Sequence, residues 1–180
     1  DYVMFFTNLG RVYRLKCYEV PEGSRTSKGM NIANLLPIAS DERVTSISRV
    51  PEFDEDSYLV MVTRHGIIKR TSLLAYNTAR KGGVIAIDLD EGDELAWVNV
   101  TDGNQELLVA TKKGMSIRFK ETDVRSTGRT SMGVRGMNID DGDEVVAMQL
   151  NSQGDCLLIV SANGMGKRTS MGEFTCQNRG

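Results

Sequence analysis

A short motif occurs four times in this chain, at intervals of about fifty residues. Each copy has a glycine followed four residues later by an arginine, and successive glycines are 56, 48 and 50 residues apart. The pairs are Gly10 and Arg14, Gly66 and Arg70, Gly114 and Arg118, and Gly164 and Arg168. An apolar run precedes every copy, at residues 3–6, 58–62, 107–110 and 157–160. Repeats of this length are typical of propellers and related arrays, whose units bury their apolar faces against one another.

Two further features recur in the same order. A basic, glycine-containing loop follows each glycine by 12 to 19 residues, at residues 24–29, 79–83, 128–133 and 178–180. An acidic turn then precedes an apolar run, at residues 40–42, 92–94 and 142–144. These features predict one array with repeats at approximately 1–56, 57–105 and 106–155, and an incomplete repeat at 156–180.

The second repeat shows what each unit should form. Residues 58–63 are apolar and rich in β-forming residues, residues 64–66 have the composition of a hairpin turn, and residues 67–71 predict a second strand. Residues 84–89 and 95–100 predict the third and fourth strands. Short helical turns are expected at 72–76 and 121–124. We therefore predict an all-β fold, a β-propeller-like array of four-stranded blades.

Charge alternates with the repeat. Residues 64–83 contain five Lys or Arg and no acidic residue, whereas residues 84–106 contain seven Asp or Glu and no basic residue. Residues 111–135 are again mainly basic, and residues 137–155 contain five acidic residues and no basic one. Equivalent positions of successive blades share one rim or face of a radial array. The sequence therefore predicts a basic band on one surface and an acidic band on another, despite a net charge of −2.

A basic band of this kind favours duplex DNA as the partner, because phosphates repeat closely along the helix and their neutralisation releases counterions. Aromatic residues are few in the basic loops, which disfavours base stacking on single strands. The candidate DNA-binding residues are Arg25, Lys28, Lys69, Arg70, Arg80, Lys81, Arg118, Arg129, Arg135, Lys167 and Arg168. For the repeated arginines, Arg14, Arg70, Arg118 and Arg168, an equally good interpretation is structural, or protection of strand edges.

No catalytic, cofactor or metal site is predicted. The single histidine, His65, lies in a predicted turn, and the three cysteines have no metal-binding spacing. The turns at 88–93 and 138–143 resemble calcium loops only faintly and are interpreted as ordinary turns. No stretch is long and apolar enough to span a bilayer, and no signal peptide is recognised, so a cytoplasmic location without membrane contact is expected.

Several segments resemble a known family, the C-terminal domain of the A subunit of DNA gyrase. The similar segments are residues 10–16, 34–37, 41–45, 92–95, 109–121, 133–137 and 164–169, so that the resemblance extends along essentially the whole chain. It implies a six-bladed β-pinwheel, a propeller variant in which blades exchange strands. It also implies that duplex DNA wraps around the rim and that this wrapping supports ATP-dependent negative supercoiling.

The resemblance places the catalytic tyrosine in another domain of the gyrase A protein and the ATP site in the gyrase B protein, within an A2B2 assembly. The family's signature loop, similar to Gln-Arg-Arg-Gly-Gly-Lys-Gly, does not occur here, and residues 80–83 correspond to the same loop in a later blade. The chain is then interpreted as roughly blades two to four and the beginning of blade five.

Three alternatives remain open at this point. One is the related A subunit of topoisomerase IV, since the signature loop is missing. Another is a protein-interaction propeller of the Kelch or WD type, although no Trp-Asp pair closes the repeats. The third is a propeller enzyme with a site at the central channel, which would need polar residues where residues 59–62 and 157–160 are apolar.

Overall fold

The fold is built from short antiparallel strands. The computed structural model describes residues 1–78, 80 and 82–180. The strands are β1 (Tyr2–Thr7), β2 (Arg11–Lys16), β3 (Val44–Val50), β4 (Tyr58–Thr63), β5 (Ile67–Ser72), β6 (Val84–Ile85), β7 (Leu95–Thr101), β8 (Glu106–Thr111), β9 (Ser116–Lys120), β10 (Val134–Arg135), β11 (Val145–Leu150), β12 (Cys156–Val160) and β13 (Gly166–Ser170). Short 3₁₀ helices span Cys17–Glu19, Ile32–Asn34, Leu73–Tyr76, Glu121–Asp123, Asn151–Gln153 and Met171–Glu173.

The strands form four sheets, which we call blades 1 to 4. Blade 1 has the order β3-β1-β2-β6 and blade 2 the order β10-β5-β4-β7. Blade 3 has the order β11-β8-β9, and blade 4 is the hairpin β12-β13. The predicted hairpins are confirmed, with β4 and β5 paired from Tyr58 opposite Ser72 to Val62 opposite Ile68. The helical turns expected near residues 72–76 and 121–124 are also confirmed.

The outermost strand of each four-stranded blade comes from the next repeat. Strand β6 pairs with β2, placing Val84 opposite Val12, and β10 pairs with β5, placing Val134 opposite Ile68. The prediction that residues 84–89 form the third strand of their own repeat is therefore wrong. Only Val84–Ile85 is a strand, and it belongs to the preceding blade. The strand exchange implied by the family resemblance is confirmed.

The core lies between blades, which explains why the first strand of each hairpin is continuously apolar. Successive side chains of a strand point to opposite faces. In β4, Leu59 and Met61 pack into a cluster shared with blade 1, whereas Val60 and Val62 pack into a cluster shared with blade 3. Both faces of the blade are thus buried against neighbours, as expected for a radial array.

Strand β7 packs against β3 on one side and β11 on the other. These last strands of consecutive repeats converge, and the exchanged strands β6 and β10 lie at the opposite sheet edges. We call the edges formed by β6 and β10 the outer edge. Within the described ranges, no helix has the length and apolar character needed to cross a membrane.

Candidate nucleic-acid interface

The basic segments of the second and third repeats precede the two strands of the outer edge. Gly82 and Gly83 lead into β6, and the loop at 128–133 leads into β10. The chain reaches these strands by crossing from its own blade to the preceding one: the amide of Thr127 donates to the carbonyl of Arg70 in blade 2, at 2.9 Å. Strand exchange therefore carries the basic loop at 128–133 to the edge farthest from the convergent strands.

The loop of the third repeat is ordered by its own hydrogen bonds. The amide of Ser131 and its hydroxyl both donate to the carbonyl of Gly128, at 3.2 and 2.7 Å. In the first repeat, the amide and hydroxyl of Ser27 donate to the carbonyl of Ser24 at 3.0 and 2.7 Å. Both loops contain the sequence Arg-Thr-Ser, so that Arg25 and Arg129 occupy equivalent positions of one turn.

A glycine with positive φ precedes each of the two strands of the outer edge. Gly133 has a φ of +108°, and a Cβ atom there would lie 2.6 Å from the carbonyl oxygen of Ile68. Gly83 has a φ of +74°, and its Cβ would lie 2.6 Å from the ring of Tyr13. Only glycine combines this backbone conformation with so close an approach. Strand exchange thus explains why a glycine directly precedes each exchanged strand, after the basic residues.

Most of the predicted loop cations face solvent. Arg25, Lys28, Arg80 and Arg135 are exposed, and Arg129 is partly exposed. Lys167 and Arg168, on β13, are also exposed. Lys81 lies outside the described residues, so its contribution stays a prediction.

Lys69 does not belong to this exposed set. Its side chain is 1% exposed, and its ammonium donates to the carbonyl of Ala86 at 2.8 Å and to that of Arg129. The prediction that Lys69 contacts phosphate is wrong for this structure, because the charge is buried beneath a basic loop. Sequence patterning could not show this, since lysine is almost never fully buried.

The repeated arginines form contacts between blades. Arg118 lies 2.5 Å from Glu106, and its guanidinium donates to the carbonyls of Met171 and Phe174 at 2.6 and 3.1 Å. Those carbonyls belong to the 3₁₀ turn of the following repeat. Arg118 is therefore a clamp between blades 3 and 4, which favours the structural interpretation of this position.

The same clamp occurs earlier in the chain with aromatic partners. Arg70 stacks over the ring of Tyr58 at 4.7 Å, with its side chain 14% exposed, and it approaches Glu121 of the next repeat at 4.0 Å. Arg14 lies over the ring of Tyr2 and donates to Asn77 at 2.9 Å. These positions hold blades together in the first three repeats and offer little charge to a ligand.

We expect Arg118→Ala to lower the free energy of unfolding by about 2 kcal/mol, because Glu106 and two carbonyls lose a charged donor together. Arg168→Ala, at the exposed equivalent position of β13, should change it by less than about 0.5 kcal/mol. Urea unfolding of both variants tests this. Equal effects would contradict the clamp.

At one end of blades 1 to 3, cations of the turns form ion pairs with carboxylates of the acidic turns. Arg43 lies 2.5 Å from Glu94, and Arg64 bridges Glu94 at 3.1 Å and Glu144 at 2.5 Å. Lys112 completes the series at 3.5 Å from Glu144. The hydrogen bond from Arg64 also lowers the pKa of Glu144. We call this region the turn end.

The predicted separation into one basic and one acidic band therefore needs correction. The cations of each basic segment lie in two places. Those in the hairpin turn, Arg64 and Lys112, are neutralised by carboxylates at the turn end. Those that precede β6 and β10 lie toward the outer edge. Arg135 lies where the two regions meet, lining a groove of about 580 Å³ with Asp90, Asp140 and Asp141. These carboxylates repel phosphate and so bound the basic region on that side.

Burial of Lys69 makes the free energy of unfolding depend on pH. Burial first, and then the charge of Arg129, lower the pKa of Lys69 to about 8, against an opposing effect of Asp88. Above pH 8 the unfolded chain retains a proton on this amine that the folded chain has lost, so stability rises with pH in that window. Compared with Lys69→Met, we expect the wild type to gain on the order of 1 kcal/mol between pH 8 and 10. Thermal unfolding of both proteins across this range measures the difference, and a constant difference would contradict it.

Some exposed cations of this region were not among the predicted residues. Arg11 is exposed on β2, opposite Ile85, and donates to the carbonyl of Gly82 at 3.0 Å. Arg125 is exposed just before the third-repeat loop. Arg125 belongs to the basic segment 111–135 and could have been included on that ground. Nothing in the sequence marked Arg11 as a residue of this region, because the strand beside it comes from the next repeat.

The fold and this edge together define a class: a β-propeller-like array whose blades exchange their outer strands and present basic loops along the exchanged edge. A family model described as the DNA gyrase C-terminal domain, a beta-propeller, matches residues 1–51, 57–102, 105–152 and 157–180. The chain belongs to this family.

Individual relatives agree with this assignment. The chain is 56% identical to the DNA gyrase A subunit of Clostridium acetobutylicum over 178 residues, which are 99% of this chain and 21% of that protein. Among solved structures, a DNA topoisomerase IV C-terminal domain matches with a TM-score of 0.90 at 31% identity, covering 99% of this chain and 56% of that one. A DNA gyrase A C-terminal domain matches with a TM-score of 0.84 at 31% identity, covering 100% and 58%. The chain thus spans about a fifth of the curated relative and over half of each solved domain.

Proposed function

We propose that this chain binds duplex DNA along its outer edge, through phosphate contacts that do not depend on sequence. The observation that carries the proposal is the uneven neutralisation of its cations. Arg43, Arg64 and Lys112 are paired with carboxylates at the turn end. Arg80 and Arg135 are exposed beside or on the strands of the outer edge, and Arg25 and Lys28 are exposed on the first-repeat loop that corresponds to the loop before β10.

The spacing of loops between blades supports a curved path for the DNA. Smooth bending of a site of 20–30 base pairs costs on the order of 1–6 kcal/mol, so several loops must contribute contacts to offset it. Exposed serine and threonine hydroxyls and backbone amides of the loops add uncharged donors to phosphate. Such contacts position the duplex without reading its bases.

Within the longer protein, we propose that this wrapping serves ATP-dependent negative supercoiling by a gyrase assembly of two A and two B subunits in the bacterial cytoplasm. The identity to the A protein of DNA gyrase supports this form of the proposal. The A protein of topoisomerase IV is the second candidate, because the solved topoisomerase IV domain has a TM-score of 0.90. The chemistry itself would belong to parts of the assembly beyond this chain.

A salt titration tests the DNA-binding proposal. Affinity for a random-sequence duplex of about 40 base pairs should fall steeply as salt rises, with a log–log slope of about 0.9 for each phosphate contacted. A second duplex of unrelated sequence should give the same slope and affinity. Absence of binding at low salt by folded protein would overturn the proposal and favour a protein-interaction propeller.

A further inference from the structure

Lys69 is joined to backbone from two other parts of the chain. It lies in β5 of blade 2, and its ammonium donates to the carbonyls of Ala86 and Arg129. Ala86 directly follows the exchanged strand β6, which belongs to blade 1, and Arg129 lies in the basic loop of the third repeat. One buried cation thus connects blade 2, the strand added to blade 1, and the loop added from repeat 3.

The side chain of Arg129 makes a second connection across the same boundary. Its guanidinium donates to the carbonyl of Ile85 at 2.6 Å. The loop is therefore held at two points of Arg129, its backbone carbonyl and its guanidinium. The amide of Asp88 also donates to the carbonyl of Ser131 at 3.1 Å.

The contact made by the Arg129 guanidinium has an equivalent in the fourth repeat. Arg179 donates to the carbonyl of Arg135, the residue equivalent to Ile85, and to that of Asp123 at 3.3 Å. The contact made by the Lys69 ammonium has no equivalent at the next blade boundary, because Ile117 occupies the position of Lys69 in β9. A buried apolar residue therefore suffices to build a blade at this position.

A lysine there is costly in stability, because burial removes its ammonium from water. Replacing buried charges with apolar residues is often neutral or stabilising in other proteins. The carbonyl of Ala86 does not depend on the lysine for a donor, since the hydroxyl of Tyr76 also donates to it at 3.0 Å. What the lysine supplies is a fixed distance between the loop and the exchanged strand.

We propose that Lys69 is a positioning residue of the outer edge: it fixes the third-repeat basic loop against β6, and so sets the spacing between successive phosphate-binding loops along the duplex. This inference rests on the proposed DNA-binding function. It concerns geometry between loops, so its effect should be seen only on a duplex long enough to engage more than one of them.

The variant Lys69→Met keeps the length of the side chain and its apolar stem, and we expect it to fold. Binding is measured to duplexes of about 10 base pairs, one helical turn, and about 40 base pairs. Affinity for the long duplex should fall about tenfold, equivalent to about 1.4 kcal/mol, whereas affinity for the short duplex should stay within about twofold. Lys120→Met removes the same charge from an exposed position at the end of β9, and should affect both lengths alike.

The outcomes separate the two proposals. If the wild type binds neither duplex, the DNA-binding function fails and the positioning role fails with it. If the wild type binds both and Lys69→Met loses equal affinity for each, or none, only the positioning role is overturned.

Amide hydrogen exchange gives a second measurement that does not use DNA. In Lys69→Met, exchange at Asp88 and Ser131 should accelerate about tenfold, while the amides of β4 and β8 keep their rates. Unchanged exchange at Asp88 and Ser131 would overturn the positioning role. Global unfolding of the variant, seen as faster exchange throughout, would equally contradict it, since Lys69 would then be needed for the fold itself.

Discussion

Neutralising three exposed arginines of the basic loops and of β10 should nearly abolish duplex binding. In the combined variant Arg25→Gln, Arg80→Gln and Arg135→Gln, three exposed cations are lost from the loops and from β10. If each contacts one phosphate, the log–log salt slope should decrease by about 3 and affinity at about 0.1 M salt should fall on the order of a hundredfold. Loss should be the same for unrelated sequences, because phosphate contacts carry no base information.

The matched control removes three positive charges from the turn end, with Arg43→Gln, Lys112→Gln and Lys113→Gln. Arg43 and Lys112 form exposed ion pairs, and the ammonium of Lys113 donates to the carbonyl of Asp141 in an exposed hydrogen bond. Exposed pairs of this kind contribute little to stability. The control should retain binding within a few-fold and lose little of the salt slope. If both variants lose affinity equally, net charge and not the outer edge determines binding.

The second large effect is on stability. Gly133→Ala should lower the free energy of unfolding by about 3 kcal/mol, since a positive φ disfavours alanine and the added methyl meets backbone. Its Cβ would lie 2.6 Å from the Ile68 carbonyl and 3.1 Å from the Ile67 side chain. Because β10 pairs with β5 at Val134 opposite Ile68, a clash at the Ile68 carbonyl opposes the strand exchange between repeats 2 and 3.

Gly128→Ala is the appropriate comparison. Gly128 lies in the same loop, and no atom lies within 4 Å of a Cβ built there. We expect its free energy of unfolding to change by less than about 0.5 kcal/mol. Chemical denaturation of both variants measures the two free energies of unfolding. Similar values would show that the close approach at Gly133 does not determine stability.

The hairpins could be predicted from sequence because they are local. An apolar run, a glycine with positive φ and a second strand lie within about fifteen residues, as at β4 and β5. Burial of every residue from Leu59 to Thr63 followed from the lack of alternation in that run, since both faces of the blade are covered.

Strand exchange could not be predicted from the residues themselves. Strand β6 has only two residues, and its partner Val12 lies 72 positions earlier in the chain. Nothing in so short a segment distinguishes pairing within its repeat from pairing with the preceding blade. The family resemblance supplied this feature, and the pattern of the second repeat suggested the opposite.

The candidate interface was predicted in part. Loop cations such as Arg25 and Arg135 were identified by repeat position, and the structure leaves them exposed. Lys69 was misassigned because its acceptors are backbone carbonyls, which carry no sequence signature. Neutralisation of Arg64 and Lys112 was also missed, because their acidic partners come from segments that appear separate along the chain.

The most direct measurement is residue-specific chemical labelling of arginine and lysine, with and without a duplex of about 40 base pairs. Under conditions of saturating DNA, Arg25, Lys28, Arg80 and Arg135 should lose most of their reactivity. Arg43, whose side chain is 62% exposed, and Lys112 and Lys113 should keep theirs. Protection confined to the turn end, or spread evenly over all of these residues, would contradict binding along the outer edge.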